Sequence, residues 1–270
     1  MITVKDIQRF RSQIGKTDEG YYYNGDIICF CSDLLIASAR VKNEKLIQIN
    51  NYQKYILQDL WNLGAIIYKL EWMRLQLGTD DNSESLWYQF ATVDIENFYV
   101  EFRSIFDYIA EIVKVVANKP GQIKNTFNMQ EWLKNNPGHR NALGEELANL
   151  VESVDWFPAI KEPRDLIIHC GGFTLPFWEH KKGILFQVYG ESLKPFVKDE
   201  IVMYNQNVVD FQLYSALYLC KLFLFLDEFS KTIRIKLNIP KTNSAAKLYS
   251  LGFDLLMQWL DKLTDKIKPL

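Results

Sequence analysis

Apolar residues recur along this chain mainly at three- and four-residue spacing, the period of a helix that buries one face. Between Tyr52 and Leu77 the positions are Tyr55, Ile56, Leu60, Leu63, Ile66, Ile67, Leu70, Met73 and Leu77. That spacing predicts a long helix, ended by Gly78 and the polar run Thr79-Asp80-Asp81-Asn82-Ser83. A second long helix is predicted from about Leu86 to Asn118, with Phe98, Phe102, Ile105, Phe106, Ile109, Ile112, Val113 and Val116 as its stripe and Pro120-Gly121 as its stop. Shorter helices are predicted over Met129–Asn135 and Asn141–Val154, split by Asn136-Pro137-Gly138. Pro163 suits a first helical turn and Gly171-Gly172 an end, so Arg164–Cys170 reads as about two turns. A long apolar helix follows from about Gln206 to Leu237, stopped by Pro240, and an amphipathic one from about Ser244 to Lys266.

Elsewhere the period is two. Tyr21-Tyr22-Tyr23 before Asn24-Gly25 predicts a strand and a turn. Asp26–Arg40 fits a helix and an extended run equally. Gly183–Tyr189 reads as a strand, with Glu200–Tyr204 as its partner. The expected fold is mainly α: four to five long helices with a small inserted β-hairpin near residues 183–204. Residues 1–50 are expected to be an appendage of mixed short elements, and residues 51–270 the helical domain. Phe102, Phe106, Ile109, Leu213, Leu217, Phe223 and Leu255 are expected in the core.

Composition narrows the function classes. With 48 % hydrophobic and 24 % charged residues the chain has ample material to bury, which excludes disorder as its main state. The 14 % aromatic share places large rings in that core, and only 13 Gly and 8 Pro argue against a turn-rich sandwich. The net charge of −2 excludes a broad basic footprint. Charge is nonetheless uneven: Thr79–Glu111 carries eight acidic residues and one basic, Arg103, whereas Lys221–Lys268 carries nine basic and five acidic. Solvated helix faces account for both. Four scattered cysteines make no disulfide framework, and Cys29-x-Cys31 lacks the second pair or histidine of a zinc site. The N-terminal segment lacks the apolar stretch of a secretion signal, so a reducing cytoplasm is expected. Val208–Phe229 approaches membrane-spanning length, but Asp210, Lys221, Asp227 and Glu228 favour a buried core helix and no membrane.

Candidate chemistry is sparse. There are three histidines, and no dinucleotide, P-loop, zincin or nucleophile-elbow motif. His139 and His180 sit in expected loops and read as exposed surface histidines. His169 stands five residues after Arg164 on the short helix, as Arg-x4-His. A guanidinium fork suits phosphate oxygens, and an imidazole moves protons near neutrality. Together they meet the needs of RNA cleavage by the 2′-hydroxyl, with no metal or cofactor, because the nucleophile is already on the substrate. Five residues on an ideal helix turn the second side chain by about 140°, so the two do not share one face.

The segment Glu162-Pro163-Arg164-Asp165-Leu166-Ile167-Ile168-His169-Cys170-Gly171-Gly172 resembles the signature of the HEPN superfamily, in which Arg and a polar residue precede His on a late helix of a bundle. The stretch Phe102–Ala110 resembles the helix that packs beside that motif in stand-alone bacterial members. The resemblance implies a ribonuclease of toxin or antiviral-defence type, active as a homodimer on RNA, with an antitoxin or other regulatory protein as a further partner. It implies that Arg164 binds the scissile phosphate, His169 transfers protons and Asp165 orients the pair. Asp107 and Glu111, one turn apart on the acidic helix, are accessory candidates set against the plainer reading of an ordinary polar helix face. Members that have lost catalysis bind nucleotide, RNA or protein, which is the alternative reading.

Overall fold

The helical period is realised as nine α-helices among the described residues: α1 (Val4–Arg11), α2 (Asp26–Val41), α3 (Glu44–Leu77), α4 (Leu86–Val116), α5 (Pro137–Leu143), α6 (Glu145–Glu152), α7 (Pro158–His169), α8 (Phe211–Lys236) and α9 (Gly252–Ile267). The computed structural model describes residues 2–77, 86–123, 133–134, 137–189, 192–242 and 246–267. The protein is mainly α, with two small antiparallel sheets. Strands β1 (Ile14–Thr17), β2 (Gly20–Tyr23) and β6 (Leu248–Tyr249) form one, in the order β1-β2-β6; β3 (Thr174–Glu179), β4 (Gly183–Val188) and β5 (Val209–Asp210) form the other, in the order β3-β4-β5.

The two longest helices, α3 and α4, lie antiparallel. Trp87 Nε1 donates to the Leu70 carbonyl, Lys69 pairs with Asp94 at 2.9 Å, and Asn62 donates to Glu101 at 3.0 Å, so residue numbers fall on one helix as they rise on the other. Helix α8 runs through the centre. The Asp210 carboxylate caps it, accepting the Leu213 N–H at 3.1 Å. Phe211, Tyr214, Leu217, Tyr218, Phe223 and Phe229 are buried around all sides of α8, because α1, α2, α6, α9 and β4 pack on it from different directions. That surround is why an apolar, charge-interrupted segment is a core helix; no helix among the described residues is long and apolar enough to cross a membrane.

Residues 2–41 share this core. Phe10 and Tyr23 pack on Phe223, with centroids at 5.2 and 4.5 Å. Asp227 of α8 accepts the Tyr23 hydroxyl at 2.9 Å and the Ile27 N–H at 3.1 Å. Burial pushes its carboxyl above the usual range, and these hydrogen bonds oppose the rise.

Several expectations need correction. Asp26–Val41 is helical, which settles the open segment. The α3 helix begins at Glu44, well before Tyr52, and α8 begins at Phe211, after Gln206. The split in the 141–154 region falls at Gly144, whose φ is +91°, and Pro137 starts a helix instead of breaking one. The expected 129–135 helix and the Gly78 end with its polar run lie almost wholly outside the described residues. Glu200–Val202 is a 3-10 turn; β4 pairs instead with β3 and β5, so the hairpin spans 174–188. Residues 248–249 pair with β2, so the last helix starts at Gly252 instead of near Ser244. Phe102, Ile109, Leu213, Leu217 and Phe223 are buried; Phe106 and Leu255 are only partly so, at the core margin.

Candidate functional site

Helix α7 carries the Arg-x4-His motif, and its backbone explains how. It begins at Pro158, so Pro163 lies inside it and not at its start as expected. An internal proline offers no N–H to the carbonyl four residues back. That carbonyl, Ala159, accepts the buried Tyr214 hydroxyl of α8 at 2.6 Å instead. One side chain thus satisfies the orphaned acceptor and ties α7 to the central helix. On its other flank α7 packs against α4, with Phe157 and Phe106 rings 4.3 Å apart.

The C-terminal half of α7 points its charges outward. Arg164 Nη1 lies 2.8 Å from His169 Nε2 and 3.0 Å from Asp165 Oδ1. A guanidinium only donates, so in this contact Nε2 is the acceptor. Asp165 also faces Lys161 at 3.6 Å, one turn earlier. The Arg164 Nε is shielded and has no hydrogen-bond partner. His169 is exposed, and Arg164 and Asp165 are about a quarter to a third exposed. One chain therefore brings Arg164 and His169 together. The helical offset of about 140° is spanned by the length of the arginine side chain.

The accessory candidates separate. Asp107 pairs with Arg103 on α4. Burial raises its carboxyl above the usual range, while Arg103 and Arg164 pull it back down. It thus lies within the field of the motif. Glu111 is paired with Lys114 at 2.7 Å. His139, expected in a loop, stands on α5. Cys31 donates to Gln53 at 2.9 Å, and no cluster of metal-ligating side chains occurs among the described residues.

Sequence reasoning missed Arg103. Its guanidinium is buried beside Asp107 and lies over the Phe157 ring at 5.2 Å. Burial lowers its pKa, Asp107 and Asp165 raise it, and Arg164 lowers it further. Arg103, Asp107, Arg164 and Asp165 thus form one alternating charge cluster across α4 and α7. The signal was present, since Arg103 is the one cation in an acidic run.

Such a cluster holds a permanent cation and a proton acceptor side by side at a helix end open to solvent. It is equipped to bind an oxyanion and to accept a proton from a hydroxyl next to it. No family model, curated protein or solved structure matches the chain.

Proposed function

We propose that the protein is a metal-independent endoribonuclease of the HEPN type, acting in toxin or antiviral service. The observation that carries the reading is the Arg164–His169 contact at 2.8 Å on the exposed end of α7. Phosphate oxygens of RNA displace His169 from the guanidinium and take its fork, and the freed Nε2 accepts the proton of the 2′-hydroxyl. The 2′-oxygen then bonds to phosphorus and the 5′-oxygen leaves with a proton. The products are a 2′,3′-cyclic phosphate and a 5′-hydroxyl. In a homodimer the second His169, in its protonated imidazolium form, gives the leaving 5′-oxygen its proton and is left neutral, and Asp165 holds Arg164 in place between turnovers.

The test is cleavage of a mixed RNA pool in the presence of chelator. Wild-type protein should cut and leave cyclic phosphate ends. Arg164→Ala and His169→Ala should each lower the rate by about 10²–10⁴, the range of general acid–base contributions, with the fold retained. Arg164→Lys should also lose most activity, because an ammonium lacks the bidentate fork. Solution mass measured on the same samples reports the dimer. Cleavage that stops in chelator and returns with Mg²⁺, or a His169→Ala variant that cuts normally, overturns the reading. RNA binding without cleavage would instead indicate a non-catalytic module.

A further inference from the structure

The chain leaves α7 through two glycines and folds straight back. Gly171 takes a φ of +71°, a left-handed conformation that glycine adopts without penalty. The Gly172 N–H then returns to the Leu166 carbonyl at 3.1 Å, and an added Cβ at Gly172 would press on that carbonyl and on Val188. The next residue, Phe173, is therefore held against the last turn of α7. Its carbonyl accepts the Tyr189 N–H at 2.9 Å, which extends the β3–β4 ladder by one pair.

That pairing sets two rings side by side. Phe173 and Tyr189 stack with centroids 5.0 Å apart and planes 16° from parallel. Their exposures are 43 % and 61 %, whereas the stacked pair Phe10 and Phe223 is buried in the core. Exposed rings gain little from packing on each other alone, since most of their apolar surface still faces water. Phe173 follows His169 by four residues, so it lies within about 14 Å along the chain.

We infer that Phe173 and Tyr189 form a stacking platform for unpaired bases of single-stranded RNA beside the Arg164–His169 pair. The inference rests on the ribonuclease reading and names its substrate as single-stranded, with a base flanking the scissile phosphate laid on the rings. Every base has a π face, so the platform holds RNA without reading sequence. Duplex RNA keeps its bases stacked internally and offers no free face. Stacking on the two rings adds a sequence-tolerant contribution to the hold that Arg164 has on the phosphate.

The experiment uses the full chain carrying His169→Ala, which stops cleavage, and a fluorescently labelled single-stranded RNA of mixed sequence read by anisotropy. Phe173→Leu and Tyr189→Leu keep apolar bulk but remove the π face, and each should weaken binding by about tenfold. Phe173→Trp should retain it. A duplex of the same sequence should bind far more weakly than the single strand. Unchanged affinity in both leucine variants, equal affinity for duplex, or no measurable binding would overturn the platform. Failure of the ribonuclease reading shows separately, as wild-type protein that binds this RNA through the two rings and does not cut it.

Discussion

Asp165 and Asp227 are both carboxylates on helices of this protein, and they live in opposite surroundings. Asp227 lies in the middle of α8, fully buried, and accepts from a tyrosine hydroxyl and a backbone N–H that belong to the N-terminal segment. Its ligands are fixed and water is excluded, so each lost bond leaves a buried group unpaired. Asp165 lies on the outer face of α7, about a third exposed, and its partners Arg164 and Lys161 keep access to solvent. Exposed pairs of this kind contribute only about 0–1 kcal/mol to stability. The contrast separates a carboxylate that holds the fold from one that is free to serve chemistry.

The largest expected effect tests the second half of that contrast. Arg164→Ala should reduce RNA cleavage by about 10²–10⁴ while its Tm stays within about 2 °C of wild type. A large fall in Tm would place Arg164 in the structural class with Asp227.

Asp227→Ala tests the first half. It leaves the Ile27 N–H unpaired and removes the carboxylate that the Tyr23 hydroxyl and the Gln13 amide donate to, which should cost about 3 kcal/mol and lower Tm by about 6–9 °C. Calorimetry measures it, and residual activity of the folded fraction should be that of wild type. A Tm unchanged by the substitution breaks the comparison.

A smaller effect is expected where α7 meets α8. Tyr214→Phe removes the donor to the Ala159 carbonyl and should cost about 1–2 kcal/mol. Pro163→Ala restores a backbone N–H for that same acceptor. Denaturant unfolding of both single variants and the double variant should therefore show coupling, with the tyrosine loss reduced in the alanine background.

The smallest effect is a pH dependence between α3 and α4. Asp59 is pushed up to about 7, first by burial and then by neighbouring Glu101, against the Ser104 hydroxyl that hydrogen-bonds it. Its folded value therefore lies above the ordinary 3.8. The folded state holds this proton more tightly, so the stability it contributes is present below the ordinary value, falls as pH rises through the window, and is gone above about 7. The Ser104 hydroxyl offsets part of the burial penalty, so Tm should fall by a few degrees across the window. Tm measured across the window should lose this slope in Asp59→Asn.

Much of the fold was legible in the chain. Helical spacing marked α3, α4 and α8, because a buried face must repeat every 3.6 residues whatever it packs on. The ends were less legible, and for local reasons. The stretch from Glu44 to Asn51 mixes Leu46, Ile47 and Ile49 with charged and amide side chains and was not joined to the run from Tyr52, yet it begins α3. Strand β3 was not anticipated; it holds Pro176 at the edge of its sheet, where the missing N–H is tolerated. At the site, the Arg164 and His169 pair and its Asp165 neighbour were legible as a motif. Arg103 was not singled out, because beside its own-helix partner Asp107 the groups that complete its surroundings, Phe157, Arg164 and Asp165, lie some fifty to sixty residues on.

By itself, then, the sequence determined that α3, α4 and α8 are helical, that α8 is too charged to span a bilayer, and that an arginine and a histidine stand five residues apart. Tertiary structure decided what those features do. Pro163 sits inside α7 because Tyr214, fifty-odd residues on, replaces the missing N–H. Arg164 meets His169 because its long side chain spans an offset that ideal helix geometry alone counts as a separation. Asp227 becomes a buried hub because a strand and a helix from the N-terminal segment aim their donors at it. Periodicity is a local property and survives in one dimension. Partner choice depends on which distant groups share a dry, crowded interior, and only the folded chain fixes that.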